Sequence, residues 1–134
     1  MHDFANAVGL MQKIIQNYKP ETVFVPWQRD PHPDHRATWQ IVDQAITNAK
    51  QPIRKLEYFI WLWERADSGD LPKPGECKVW KVNIETAINQ KKQAIAAHIS
   101  QTTSLISDDP EGFTLSPEVL SHFDKPFEIF IEKP

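Results

Sequence analysis

The amino-terminal part of the chain shows a helical apolar pattern followed by an extended one. From Asp3 to Tyr18, apolar side chains recur every three or four residues, which predicts an amphipathic helix with Asp3 as its N-cap. The apolar positions are Phe4, Val8, Met11, Ile15 and Tyr18. The run from Thr22 to Pro26 is apolar without alternation, which predicts a short strand buried on both faces, as in a parallel sheet.

The middle of the chain repeats this order of elements. A second helix is predicted from His35 to Ala49, with Asp34 as its N-cap. Its expected inner face comprises Ile41, Val42, Ala45, Ile46 and Ala49. An apolar strand is predicted at Leu56 to Trp63, and a third strand at Cys77 to Val82 after a loop that contains proline and glycine.

The last part of the chain adds two helices and a strand. Asn83 can cap a long helix from Ile84 to about Ile99. The sequence Ser116-Pro117-Glu118 predicts the start of a short helix that ends near Phe123, and a last strand is predicted at Phe127 to Ile131. Helices that alternate with short apolar strands favour a layered α/β fold with a mainly parallel sheet flanked by helices. We interpret residues 1–134 as a single domain, because no repeat or linker interrupts them.

Composition narrows the range of partners. The 134 residues carry a formal net charge of -3 with no cluster of basic residues, so we expect no nucleic-acid partner. The lack of a long apolar run predicts no membrane insertion. The single cysteine, Cys77, cannot form an intrachain disulfide and is interpreted as a buried thiol, and we expect a cytoplasmic protein.

The loop after the first predicted strand carries the densest set of metal-binding side chains. Two imidazoles and two carboxylates fall between Asp30 and His35, and both are ligand types that zinc accepts. Pro31 and Pro33 stiffen this loop and bias the residues before them towards extended geometry, so His32 and His35 can point into a common space. Ligands of open α/β sheets bind beyond the carboxyl ends of the strands, which is where this loop lies.

Two segments of the chain resemble one enzyme family. The stretch from Pro26 to Ala37 resembles the second signature of the LmbE/PIG-L metal-dependent deacetylases, a proline followed after a spacer by D-x-H-P-D-H-R-A. The stretch from Lys91 to Gln101 resembles the K-x-x-A-L-x-x-H-x-S-Q helix of the same family. The resemblance covers the chain as the carboxyl-terminal part of these enzymes. It implies a Rossmann-like fold and zinc-dependent hydrolysis of an N-acyl amide, in particular an N-acetyl group on an amino sugar.

The resemblance also implies roles for individual residues. His35 is the expected metal ligand for Zn2+, and His32 is expected to polarise the substrate carbonyl or to protonate the leaving amine. Asp34 would orient His32, since a carboxylate bonded to one ring nitrogen fixes the tautomer and favours the charged ring. Asp30 is expected in the wall of the substrate site. Trp27, Trp61 and Trp63 could line a sugar pocket, because aromatic faces stack on apolar sugar surfaces, and Trp27 is the second substrate-binding candidate.

The chain departs from the family at its start. These deacetylases begin with a strand that ends in P-H-P-D-D-E, which supplies the other two zinc ligands and the base, and this motif is absent from the sequence. A catalytic zinc needs about three protein ligands. We therefore expect an N-terminally truncated fold, whether a fragment, a split gene product or a degenerate homologue, that binds zinc weakly and is inactive as an isolated chain. A complementing N-terminal segment or a homo-oligomer would complete the site for a small N-acetylated sugar or glycoconjugate.

Structural explanations compete with several of these roles. Asp34 can serve as a helix cap with or without orienting His32. Asp30 can be a turn-forming carboxylate or the partner of Arg29. The remaining candidates are expected in the scaffold rather than in catalysis: Trp61 as core packing, and Lys91 and His98 as partly buried side chains.

Three hypotheses about function remain at this level. The first is a zinc-dependent N-acyl hydrolase for which this chain supplies part of the site. The second is a noncatalytic remnant or an assembly subunit of the same fold. The third is an unrelated metal-binding module, which leaves the match from Lys91 to Gln101 without an explanation.

Overall fold

A computed structural model of the chain describes residues 4–109 and 112–134. Its helices and strands follow one another as α1 (Ala5–Tyr18), β1 (Thr22–Pro26), α2 (Pro33–Thr47), β2 (Arg54–Tyr58), α3 (Leu62–Arg65), β3 (Lys78–Asn83), a 3-10 turn (Glu85–Ala87), α4 (Ile88–Ala96), α5 (Ile99–Thr102), α6 (Pro117–Phe123) and β4 (Phe127–Glu132).

The four strands form one mixed sheet in the order β1-β2-β4-β3, which is flanked by helices. Strands β1 and β2 are parallel, with Thr22 opposite Arg54. Strand β4 runs antiparallel to β2, with Ile131 opposite Glu57. The predicted α/β fold is confirmed, but a mainly parallel sheet is not supported. The apolar pattern of a short strand reports burial and not direction, because either orientation buries the same side chains.

Contacts within the chain divide it into two compact units. The first unit contains the described residues up to Trp80 together with Phe130–Pro134, and the second contains Lys81–Ile129. The first unit includes α1, α2 and the parallel pair of strands. It therefore contains the whole loop that carries the two candidate histidines.

The core of the first unit lies between α1 and α2. Val8 and Ile15 of α1 pack against Ala45 of α2, surrounded by partly buried apolar side chains: Phe4, Met11, Ile41, Ile46, Ala49 and Ile53. The predicted inner face of α2 is confirmed. Tyr18 was predicted on the buried face of α1 but is 80% exposed, because the buried cluster extends no further along the helix than Ile15. Phe4 is the N-cap of α1, and the predicted cap Asp3 lies outside the described residues.

The parallel pair is joined by α2, which packs on β1. A strand, a crossover helix and a parallel strand form the usual βαβ unit. Strand β2 ends at Tyr58, so the predicted strand from Leu56 to Trp63 is too long at its carboxyl end. The N–H groups of Ile60 and Trp61 donate to a side-chain carboxylate instead of to a neighbouring strand, which ends the ladder there.

The second unit has shorter helices than the sequence predicts. The expected helix from Ile84 to Ile99 is divided into the 3-10 turn, α4 and α5. The side chain of Asn83 accepts a hydrogen bond from the N–H of Glu85, but the N-cap of the 3-10 turn is Ile84 and not Asn83 as predicted. Ser116 caps α6 as predicted, with its hydroxyl oxygen accepting from the N–H of Val119.

Candidate active site

The loop between β1 and α2 lies at the carboxyl end of the parallel pair. The N–H of Trp27 donates to the carbonyl oxygen of Tyr58 at 2.9 Å, so the loop after β1 starts beside the end of β2. Because the two strands are parallel, the segments that follow them lie at the same edge of the sheet. This edge carries the predicted site residues.

Asp30 is the centre of the loop. It is fully buried, with 0% of its surface exposed, and four N–H groups converge on its carboxylate. Oδ1 accepts from the backbone N–H of His32 at 3.1 Å and from the ring of His35 at 2.9 Å. Oδ2 accepts from the backbone N–H groups of Ile60 at 3.2 Å and Trp61 at 3.0 Å. One carboxylate therefore ties the loop after β1 to the loop after β2.

The contact with Asp30 fixes the ring of His35. A carboxylate accepts hydrogen bonds and has no proton to give when it is ionised, so Nδ1 of His35 carries the proton of this contact. In a neutral ring the lone pair is then on Nε2. A histidine whose second nitrogen is bonded to a carboxylate is the common arrangement among metal ligands.

His32 has the opposite arrangement of ring nitrogens. Its Nδ1 accepts a hydrogen bond from the backbone N–H of Asp34 at 3.2 Å, so Nδ1 carries the lone pair and Nε2 carries the proton. The ring of His32 lies beside that of His35, with centroids 4.8 Å apart, and is nearly parallel to the indole of Trp61, with centroids 6.4 Å apart and planes at 19°. The two neighbouring imidazoles thus offer one lone pair and one N–H.

Asp34 does not occupy the place predicted for it at the helix start. Helix α2 begins at Pro33 with His32 as its N-cap, which corrects the prediction of Asp34 as the cap. The ring of His32 can act as a cap because proline at the first helical position needs no acceptor, and the next N–H is that of Asp34. The hydrogen bond between Asp34 and His32 is made by the backbone of Asp34, whose side chain is exposed in the first turn. A carboxylate there is favourable for the helix dipole.

Trp27 lies in the interior rather than on a pocket wall. It is 0% exposed, and its indole N–H donates to the carbonyl oxygen of Asp70 at 2.6 Å. The guanidinium carbon of Arg29 lies 4.5 Å from the centroid of the Trp27 ring. The ring of Phe59 packs edge-on against the indole, with ring centroids 6.1 Å apart. With its surface covered in this way, Trp27 presents no exposed face on which a sugar could stack.

Arg29 pairs with Glu76 and not with Asp30, which excludes the alternative weighed for these two residues. Its guanidinium donates two hydrogen bonds to the Glu76 carboxylate, at 2.7 and 2.8 Å. The hydrogen bonds from Arg29 and from the backbone of Lys73 lower the pKa of Glu76 to about 2. Arg29 also donates to the carbonyl oxygen of Leu71, so it links the loop to the segment that precedes β3.

Glu57 is a second buried carboxylate next to the loop. It is 1% exposed, and Oε2 accepts from the N–H of Gln28 at 3.1 Å. Its other oxygen, Oε1, has no hydrogen-bond partner, and Nζ of Lys55 lies 3.9 Å away. Lys55 is itself bonded to Asp43 of α2.

Sequence reasoning missed Glu57 and Glu76 as neighbours of this loop. Trp61 was considered as a sugar-pocket residue together with Trp27 and Trp63, but core packing was preferred for it. Its position shortly after the strand that contains Leu56 could have indicated its place beside this loop. Residues that follow two parallel strands lie at the same edge of the sheet. Glu57 gave no signal, because a carboxylate within an apolar strand is normally read as facing solvent.

The second segment of the resemblance lies in the other unit. Helix α4 ends at Ala96, and His98 is the N-cap of α5 rather than a residue inside one long helix. Lys91 forms an ion pair with Glu128 at 3.0 Å.

Comparison with protein-family models finds none that matches the chain. Within residues 4–109 and 112–134, no three His, Cys, Asp or Glu side chains are grouped so that they could hold a metal ion. None of the helices in that same part of the chain is long and apolar enough to cross a membrane.

Proposed function

We propose that this chain supplies the histidine part of a zinc-dependent hydrolase site that cleaves an N-acyl amide, in particular the N-acetyl group of an amino-sugar-type compound. The observation that carries the proposal is the opposite arrangement of two adjacent imidazoles. His35 presents a lone pair on Nε2, as a metal ligand must, and His32 presents an N–H, as a group that polarises a carbonyl must.

In this proposal His32 acts as a hydrogen-bond donor. Its Nε2–H points to the acyl oxygen and stabilises the negative charge that develops there when water attacks the carbonyl carbon. Proton donation to the leaving amine would require a ring protonated on both nitrogens, and such a ring has no lone pair to accept the N–H of Asp34. Of the two roles expected for His32, carbonyl polarisation is therefore the one that agrees with its contacts.

Asp30 takes a different role from the one expected for it. Its two oxygens are engaged by four N–H groups, so it is a positioning residue that orients His35 and not a substrate-binding residue. Asp34 contributes its backbone N–H to His32. Trp61, rather than Trp27, is the aromatic side chain next to the reacting groups.

The donor set fits a catalytic zinc only in part. His35 is suited to be one ligand, whereas both oxygens of Asp30 are already used and the described residues contain no group of three donors. When bound, zinc would supply Lewis acidity that activates a water and polarises the acyl oxygen. The remaining ligands and the base would come from a complementing segment or a second copy of the chain. Weak zinc binding and inactivity of the isolated chain follow from this division.

The finer fold assignment belongs to the same proposal. A Rossmann-like layered fold is supported by the parallel pair β1 and β2, by the crossover helix α2 and by the position of the loop at the carboxyl ends of the strands. The second candidate function, a noncatalytic remnant or assembly subunit, is favoured by the incomplete set of metal ligands within the described residues.

The tautomers give the most direct test. Long-range 1H–15N spectra near neutral pH should place the proton of His35 on Nδ1 and that of His32 on Nε2. Titration with Zn2+ should then shift the Nε2 signal of His35, and His35→Ala should abolish this weak binding. His122→Ala, at an exposed histidine outside the loop, is the control and should leave binding unchanged. If both rings carry the proton on the same nitrogen, the assigned roles are wrong.

Turnover separates hydrolase from remnant. We expect no deacetylation of N-acetylglucosamine derivatives by the isolated chain, and restored activity when a segment containing H-P-D-D-E is added. In the restored enzyme, His32→Ala should reduce turnover far more than zinc content. Equal losses of both would refute the role of His32, and lack of activity with every complementing segment would favour the remnant.

A further inference from the structure

Trp61 connects the candidate site to a positive charge. The carboxylate of Asp30 accepts the backbone N–H of Trp61, and the indole lies nearly parallel to the imidazole of His32. The guanidinium carbon of Arg65 lies 4.3 Å from the centroid of the Trp61 ring. Two successive ring contacts therefore lead from His32 to the charge of Arg65.

The local backbone fixes this arrangement. The N–H of Arg65 donates to the carbonyl oxygen of Trp61 at 2.9 Å, so the two residues are one helical turn apart at the start and end of α3. Side chains four residues apart in a helix lie on the same face. The cation is thus held over the indole of a residue whose backbone N–H is bonded to Asp30.

Arg65 differs from the other arginines of the chain in its partners. Each of the other three donates to oxygen atoms of the protein: Arg29 to Glu76, Arg54 to Glu132, and Arg36 to two backbone carbonyls. For Arg65, an aromatic ring is the partner, and in the described part of the chain no oxygen accepts from its guanidinium. A guanidinium stacked on a ring keeps the N–H groups at its edge available, and these match a carboxylate or a phosphate in a bidentate fork.

From these contacts we infer that Arg65 binds an anionic group, a carboxylate or a phosphate, of the ligand that reaches His32 and His35. The inference rests on the proposed function and adds a substrate class to it. The substrate is then a negatively charged N-acyl compound, with the amide at the histidines and the anion at Arg65. Trp61 lies between the two ends of this ligand.

Four small compounds test separately whether the ligand needs an anionic group and whether it needs an N-acyl group. Their binding is followed through the indole and arginine side-chain NMR signals. They are N-acetylglucosamine, its 6-phosphate, N-acetylmuramic acid as the carboxylate-bearing analogue, and glucosamine 6-phosphate, which has no N-acyl group. At least one anionic N-acetyl compound should bind about tenfold more tightly than the neutral sugar. Which of the two does so identifies the anion as phosphate or carboxylate.

Substitutions assign the preference to a residue. Arg65→Gln should remove the tenfold difference and leave the affinity for N-acetylglucosamine unchanged, whereas Arg65→Lys should retain part of it. Arg54→Gln changes the net charge equally at a guanidinium paired with Glu132 and should leave the preference intact. Equal affinities for neutral and charged compounds, a preference that survives Arg65→Gln, or no binding of any of the four would overturn the inference.

Glucosamine 6-phosphate separates this inference from the proposed function. If it binds as tightly as the N-acetyl phosphate, and Arg65→Gln weakens both, the anion site stands and the assignment of an N-acyl substrate fails. If N-acetylglucosamine binds and shifts the signals of His32 but charge adds nothing, the proposed function stands and the anion site fails.

Discussion

Asp30 and Glu57 are two buried carboxylates of the same unit, and their surroundings are opposite. Asp30 accepts four N–H groups, two on each oxygen. Glu57 accepts one, from Gln28, and has an oxygen without a hydrogen bond. Both are essentially inaccessible to water. Burial alone therefore does not distinguish a carboxylate that organises a site from one that only occupies the interior.

The number of donors is what separates them. A buried carboxylate loses its hydration, and only hydrogen bonds from the protein replace it. The donors of Asp30 come from two loops and one imidazole, so both of its oxygens have protein partners in place of water. Glu57 depends on one N–H and on a lysine whose nearer partner is Asp43. We therefore expect the same chemical change to have very different effects at the two positions.

The largest effect is expected from Asp30→Asn. An amide in this place has one accepting oxygen, so two of the four buried N–H donors lose their acceptor, at a cost of about 2–4 kcal/mol in the free energy of unfolding. Urea denaturation at neutral pH measures this loss. The 15N signals of His35 should also change, because its Nδ1–H contact is altered or lost. A variant as stable as the wild type would show that the four hydrogen bonds do not hold the loop.

An intermediate, pH-dependent effect is expected at Glu76, a third carboxylate, whose partner is a guanidinium. Its pKa is lowered from 4.5 to about 2, so its stabilising contribution is complete above pH 4.5 and is lost as the pH falls towards 2. Arg29→Met raises this pKa again. The difference in stability between wild type and variant should be largest above pH 4.5 and should close near pH 2.

Acid titration followed by tryptophan fluorescence measures this difference. Arg65→Met is the matched control, because Arg65 forms no ion pair with the described residues, and it should leave the acid limb unchanged. An Arg29→Met variant with the acid limb of the wild type would contradict the assignment of the Glu76 pKa shift to Arg29.

The smallest effect is expected from Glu57→Gln. The amide oxygen can still accept from the N–H of Gln28, the buried charge is removed, and Lys55 keeps Asp43, so the change should be below about 1 kcal/mol. Urea denaturation beside Asp30→Asn gives the comparison directly. A loss at Glu57 as large as that at Asp30 would mean that burial, and not the number of donors, sets the cost.

Sequence predicted the elements of the first unit better than their ends or directions. The inner face of α2 was identified because apolar periodicity reports burial. The N-cap of α2 was predicted at Asp34 because aspartate is a common cap, whereas the N-cap is His32. Proline at the first helical position favours this arrangement, because it has no N–H that needs an acceptor. The antiparallel direction of β4 could not be predicted, because the apolar pattern of a short strand does not indicate its direction.

The candidate site was predicted in its residues but not in their partners. Proline bias placed His32 and His35 together, and their rings are adjacent. The predicted carboxylate–imidazole pair was Asp34 with His32, but the pair in the structure is Asp30 with His35. Asp30 is held in the interior by N–H groups of a loop that is distant in sequence. Such long-range hydrogen bonds have no local signature. The burial of Trp27 also depends on residues distant in sequence, Asp70 and Phe59, so its sequence context did not exclude it from a sugar site.

The double attachment of Asp30 has a kinetic consequence. A single side chain of the segment after β1 holds the segment after β2, so the two can separate only when the hydrogen bonds of Ile60 and Trp61 to that carboxylate break. Both bonds end on one oxygen, so we expect the amide protons of Ile60 and Trp61 to exchange with solvent together. A molecule that displaces the segment after β2 must break both of these bonds, whereas the contact between His32 and Asp30 lies within the other segment.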